Sequence, residues 1–164
     1  MAFQAHNFVL DDTLRLTSGI TITAASTPAV GATTIDLGAL APGFNINTTS
    51  INPYSRFAVV LDWTTLDVAS GDETYYIDIQ GSNSATFASG NYAVGRLVLG
   101  IGGSVGNAVN TPANARDVFY FDNAVLSSDS SGSSHSTMRY LRLRAEAFGT
   151  SPNIVITGAW LCPL

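Results

Sequence analysis

Residues 138–146, reading MRYLRLRAE, restrict the possible folds of this chain more than any other stretch. From Leu141 onward every second residue (Leu141, Leu143, Ala145) is apolar, and the residues between (Tyr140, Arg142, Arg144, Glu146) carry polar groups. Side chains alternate between the two faces of a strand with period two, so this is the pattern of a half-buried β-strand. A helix would set Arg142 and Arg144 on either side of its apolar stripe. With Arg139, three of the chain's seven arginines fall in this one piece. Its solvent face is therefore expected to be basic in a chain of net charge −5, a mismatch that points to surface contact rather than catalysis.

The same period recurs elsewhere. Residues 17–25 alternate Ile with Thr, and residues 34–38 suit a short strand or bridge. In residues 56–65, Phe57, Val59, Leu61 and Trp63 share one face, and Ala58, Val60, Asp62 and Thr64 the other. Residues 73–80 put Tyr75, Ile77 and Ile79 together, residues 96–99 form a short strand, and residues 116–122 an aromatic one. A last strand over 153–161 is expected to place Ile154, Ile156 and Trp160 on one face. Pro42, Gly43 and Pro53 break up the section 39–55. Residues 100–114 are too long for a hairpin turn, and the serine-rich 127–137 is expected to be a polar loop.

No segment has a 3.6-residue period, and the chain lacks lysine and is poor in glutamate, both common on exposed helices. The expectation is an all-β protein: an antiparallel β-sandwich of jelly-roll type with about eight strands. A length of 164 residues fits one domain. Residues 14–164 are assigned to it and residues 1–13 to an N-terminal arm. The single cysteine, Cys162, is expected to be a small apolar residue of the last strand.

Composition narrows the function. Charged residues make up only 12% of the chain, against about 25% in ordinary globular proteins. All seven basic residues are arginine, which keeps its planar fork when desolvated and is favoured at interfaces where lysine is depleted. The acidic balance argues against nucleic-acid binding, which needs a basic face. The N-terminus lacks the pattern of a signal peptide, and no apolar run approaches the roughly 20 residues of a membrane span. Synthesis in a cytoplasm is the resulting expectation.

Sites for chemistry are not apparent. His6 and His135 lie at opposite ends of the chain, away from any His-x-His pair. Asp11-Asp12 and Asp72-Glu73 are acidic doublets without the spacing of a calcium loop. Nothing marks a pair among Asp62, Asp67 and Asp78 as glycosidase carboxylates, and no Gly-x-Ser-x-Gly elbow occurs. No catalytic residue, cofactor or metal is expected. The strand aromatics Tyr75, Tyr76, Phe119, Tyr120, Phe121 and Tyr140 should divide between the core and an outer face, where they would stack on sugars or bury against a protein.

In order along the chain, Ala24-Ala25-Ser26 leads to Ile35-Asp36-Leu37-Gly38 and the apolar strand 56–63. Ile79-Gln80-Gly81-Ser82-Asn83-Ser84-Ala85-Thr86-Phe87, Arg139-Tyr140-Leu141-Arg142-Leu143 and a last strand with Trp160 follow. From about residue 18 to the end, this series resembles the jelly-roll cement, or decoration, proteins of tailed bacteriophage heads. The segments 100–114 and 127–137 look like insertions relative to compact members. The resemblance implies a non-enzymatic protein on the outer surface of the virion, homo-oligomeric as a dimer or trimer, which binds the major capsid protein and bridges its subunits. Engaging several subunits at once would raise the effective concentration of each modest contact. The expected contact residues are Phe3 and Phe8 in the arm, and Tyr140, Arg142 and Arg144 on the 138–146 strand. A carbohydrate-binding module displayed on the virion is the alternative.

Overall fold

A computed structural model of the chain describes residues 10–40, 56–88, 90–100, 115–123, 125–129, 132–136 and 138–164. The early strands are short: β1 (Arg15–Thr17), β2 (Ile20–Ile22), β3 (Ala29–Val30) and β4 (Ile35–Asp36). The long ones follow as β5 (Arg56–Leu66), β6 (Thr74–Ser82), β7 (Tyr92–Gly100) and β8 (Ala115–Asp122). A hairpin of β9 (Val125–Asp129) and β10 (Gly132–Ser136) precedes β11 (Tyr140–Phe148) and β12 (Ile154–Pro163).

Two antiparallel sheets carry the fold. In the first, β1 and β2 both pair with one edge of β12, and the order continues through β5 to β8. In the second, β3 and β4 share one edge of β11, followed by β6 and β7. If each collinear pair is taken as one position, the early pieces β1/β2 meet the last strand and β3/β4 meet the one before it. Moving inward along the chain, β5 meets β8 and β6 meets β7. Such nesting of first with last, alternating between two sheets, is the winding of a jelly roll. The expected strand number thus holds for positions, while breaks at Ser18-Gly19 and between β3 and β4 raise the number of segments in the two sheets to ten.

Alternation decides which side chains enter the layer between the sheets. Phe57, Val59, Leu61 and Trp63 of β5, with Ile154 and Ile156 of the neighbouring β12, face Tyr75, Ile77 and Ile79 of β6 and Leu141, Leu143, Ala145 and Ala147 of β11, all essentially buried. Each large side chain so buried contributes roughly 1.5–3 kcal/mol of transfer free energy. On β12 the expected face fails at Trp160. The register with β5 shifts between Ile156 and Gly158, and beyond it Ala159 and Leu161 point inward. One extra residue reverses every later side chain, so Trp160 moves to the outer face. There its indole lies over Gly158, where a β-carbon would come within 2.2 Å of the ring, with the Arg15 guanidinium 5.1 Å from its centre.

Three further expectations need correction. The single strand over 17–25 is broken in two. The strand at 34–38 ends at Asp36, and the chain turns into a one-turn helix, α1 (Leu37–Leu40), whose Leu37 N–H donates to the Arg139 carbonyl. The serine-rich stretch contains the hairpin β9–β10, because a backbone ladder needs no apolar side chain to form.

The connections gather at two ends. At one, Ser26 N–H bonds the Ala147 carbonyl, and Asp72 accepts from Thr150 N–H and hydroxyl at 3.0 and 2.9 Å. Here the buried Tyr75 hydroxyl donates to the Asp67 carbonyl and accepts from Asn153 N–H at 3.0 Å, tying the β5–β6 and β11–β12 connections together. The buried Glu73 carboxylate accepts from the backbone N–H groups of Ser70 and Gly71, each at 3.0 Å. Burial by itself would raise its pKa, but hydrogen bonding from its own backbone, from Ser70 and from the Asp72 backbone outweighs it and the net shift is downward. Both members of the Asp72-Glu73 doublet are thus engaged in holding loops. At the other end, Arg139 N–H bonds Asn83, and the buried Asn123 side chain pairs with the Met138 backbone.

Candidate contact surface

The outer face of the second sheet collects three of the seven arginines. In the β11–β6 register Arg142 lies opposite Gln80 and Arg144 opposite Asp78, while β7 sets Arg96 opposite Asp78 from the other side. Directly opposed residues share a face, so these pairs meet. Arg96 donates to both Asp78 oxygens at 2.6 and 2.9 Å, and Arg144 approaches the same carboxylate at 3.6 Å. Arg144 also bonds Glu146 at 2.6 Å. The hydrogen bonds it donates to Asp78 hold the Arg96 pKa above its ordinary value, and its guanidinium carbon lies 4.8 Å from the centre of the Tyr76 ring.

The same economy holds elsewhere. Arg139 forks onto Asp36 with both distances at 2.9 Å and lies 5.0 Å above the Tyr140 ring. That hydrogen bonding lowers the Asp36 pKa. Across the first sheet, Arg116 forks onto Asp62 at 2.6 and 2.7 Å, and Arg56 meets Asp122 at 3.1 Å. Arg15 is 3.8 Å from Asp12.

Arg142 is the exception. Among the described residues it is the one guanidinium without a carboxylate partner. Its Nε–H donates to Gln80 Oε1 at 3.0 Å, and its Cζ lies 4.1 Å from the centre of the Phe87 ring. Burial, and then the neighbouring Arg144 charge, push its pKa below the ordinary value. Phe87 is itself buried and held at φ 55°, a left-handed conformation that costs a non-glycine residue about 1 kcal/mol or more. Its N–H bonds Ser84, and its carbonyl accepts from Asn91 at 2.8 Å.

The expected contact residues therefore separate. Tyr140, Arg142 and Arg144 share one half-buried face of β11, as alternation required. The uniformly basic face does not form, because Asp78 and Glu146 neutralise Arg144 from inside the chain. Phe3 and Phe8 lie outside the described residues. Phe87 and Gln80, which support Arg142, were not among the expected contact residues: both stand in the 79–87 stretch of the resemblance, but Phe87 sits in a connection and Gln80 is marked otherwise only by its place on the outer face of β6.

The first sheet presents a different exterior. Ala58, Val60 and Cys162 form a second apolar cluster there, against which Leu10 and Val118 pack. Burial raises the pKa of the Cys162 thiol. Near the C-terminus a shallow depression of about 300 Å³ is lined by Arg56, Phe57, Tyr120, Phe121, Asp122 and Leu164. Tyr120 is 59% exposed at its rim. No group of His, Cys, Asp or Glu side chains among the described residues is arranged to hold a metal ion.

Fold and surface together define an all-β jelly roll whose polar chemistry lies on sheet exteriors. No family model, curated protein or solved structure matches the chain.

Proposed function

We propose that this chain is a structural virion protein, a capsid cement or decoration protein. It binds the outer surface of a phage head as a homo-oligomer and stabilises the head by bridging major capsid subunits. The observation that carries this reading is the outer face of the second sheet: a rigid ladder of arginines and aromatics, internally neutralised except at one position. Arginine and aromatic side chains supply most of the energy at protein interfaces, and a face already ordered by its own ion pairs loses little entropy on docking. An acidic chain also suits the outside of a head, away from packaged DNA. The test is co-sedimentation of the purified chain with expanded heads built from the major capsid protein of the same genome. Saturable, stoichiometric binding is expected; no binding to those heads would end the proposal.

A second reading, a carbohydrate-binding module displayed on the virion, is favoured by one observation: the exposed Tyr120 ring beside a depression edged by Arg56 and Asp122. A glycan array separates the two readings. Saturable sugar binding that is lost in Tyr120→Ala would support the module.

A further inference from the structure

Every other arginine of the chain lies within 4 Å of a carboxylate, and the acids nearest Arg142 are already engaged by its neighbours. Around β11, β6 and β7 the three guanidiniums of Arg96, Arg142 and Arg144 face the two carboxylates of Asp78 and Glu146. Among the described residues one positive charge is left, located at Arg142. A guanidinium has five N–H donors; one is taken by Gln80, and the Cζ lies over the ring of Phe87. Among the described residues the Nη1 and Nη2 donors have no partner and remain as a fork.

We infer that the Arg142 fork is a preformed seat for a single side-chain carboxylate, supplied by an Asp or Glu of the protein shell to which the chain binds. This rests on the cement reading. One uncompensated cation suits one carboxylate and not a polyanion, since nucleic acid is held by many phosphate contacts at once. The planar fork matches the two carboxylate oxygens, and the packed ring and the Gln80 bond fix its orientation before the partner arrives. Partial burial, which lowers the pKa of the unpaired guanidinium, also strengthens its attraction for an incoming anion.

The test has two arms, each on the full chain. In the first, binding to expanded heads is compared for wild type, Arg142→Ala, Arg142→Lys and Phe87→Leu, each shown to unfold at a temperature close to that of wild type. Arg142→Ala is expected to weaken binding about ten- to a hundredfold per site, the usual scale for a charge-assisted hydrogen-bonded pair. Arg142→Lys should recover only a small part, because lysine keeps the charge and lacks the fork. Heads bound equally well by Arg142→Ala, or full recovery with lysine, would overturn the inference. So would a loss confined to self-association, which would assign the carboxylate to a second copy of the chain.

The second arm needs no heads. Acetate is titrated against chloride at constant ionic strength while the arginine Nε–H resonances are followed by NMR. The Arg142 signal should move saturably, and those of Arg96, Arg116 and Arg139, whose forks are occupied, should not. An unmoved Arg142 signal overturns the seat. If wild type ignores heads but the Arg142 signal responds, the cement reading falls and the carboxylate seat stands.

Discussion

Replacing Asp78 with Asn tests whether the outer-face ion network contributes to stability or only decorates the sheet. The Asp78 side chain is 4% exposed and lies between Arg96, 49% exposed, and Arg144, 23% exposed. At about 4 Å and an effective dielectric near 20, one ion pair is worth roughly 4 kcal/mol of Coulomb energy. Breaking a fully buried pair by removing one partner costs about 3–5 kcal/mol. Both arginines here regain part of their hydration, and asparagine keeps one acceptor, so the expected loss is about 2 kcal/mol. In a domain of this size that lowers Tm by about 4–8 °C. The control is Asp122→Asn, whose pair with Arg56 is 62% and 73% exposed and should be worth about 0.5 kcal/mol or less. Urea denaturation of both variants at low and high salt measures the difference, and salt should erase most of the Asp122 effect. An Asp78→Asn variant no less stable than Asp122→Asn would refute the reasoning.

Tyr75→Phe removes a buried hydroxyl and leaves the Asn153 N–H without its acceptor, so a loss of about 2 kcal/mol is expected from thermal unfolding. Burial first, and then the Asp67 and Glu73 charges, raise the pKa of Tyr75 above its ordinary 10.0. The folded state therefore favours the neutral phenol. The stabilisation is fully present below about pH 10 and is lost as pH rises through the folded value, so Tyr75→Phe should lack that part of the wild type's alkaline decline. Gly158→Ala drives a methyl into the Trp160 indole and should cost about 1–3 kcal/mol. Because Trp63 is 2% exposed, a red shift in tryptophan emission would report Trp160 leaving the sheet, and an unchanged spectrum would contradict the packing described.

Period-two alternation made the long strands and their inward faces readable: β5, β6 and β11 bury the residues their spacing predicts, because a pleated backbone offers only two faces. Alternation could not locate the bulge that turns Trp160 outward, since an inserted residue leaves no mark on composition. Nor could it find β9–β10, whose ladder is made of backbone. The nesting of strands into a jelly roll depends on pairings between distant segments, such as β1 with β12, which no local pattern encodes. At the candidate surface, sequence put Tyr140, Arg142 and Arg144 on one face. Only the tertiary register decided that Asp78 and Glu146 neutralise Arg144 while Arg142 faces Gln80, because which charge stands opposite which is set by how neighbouring strands slide past one another.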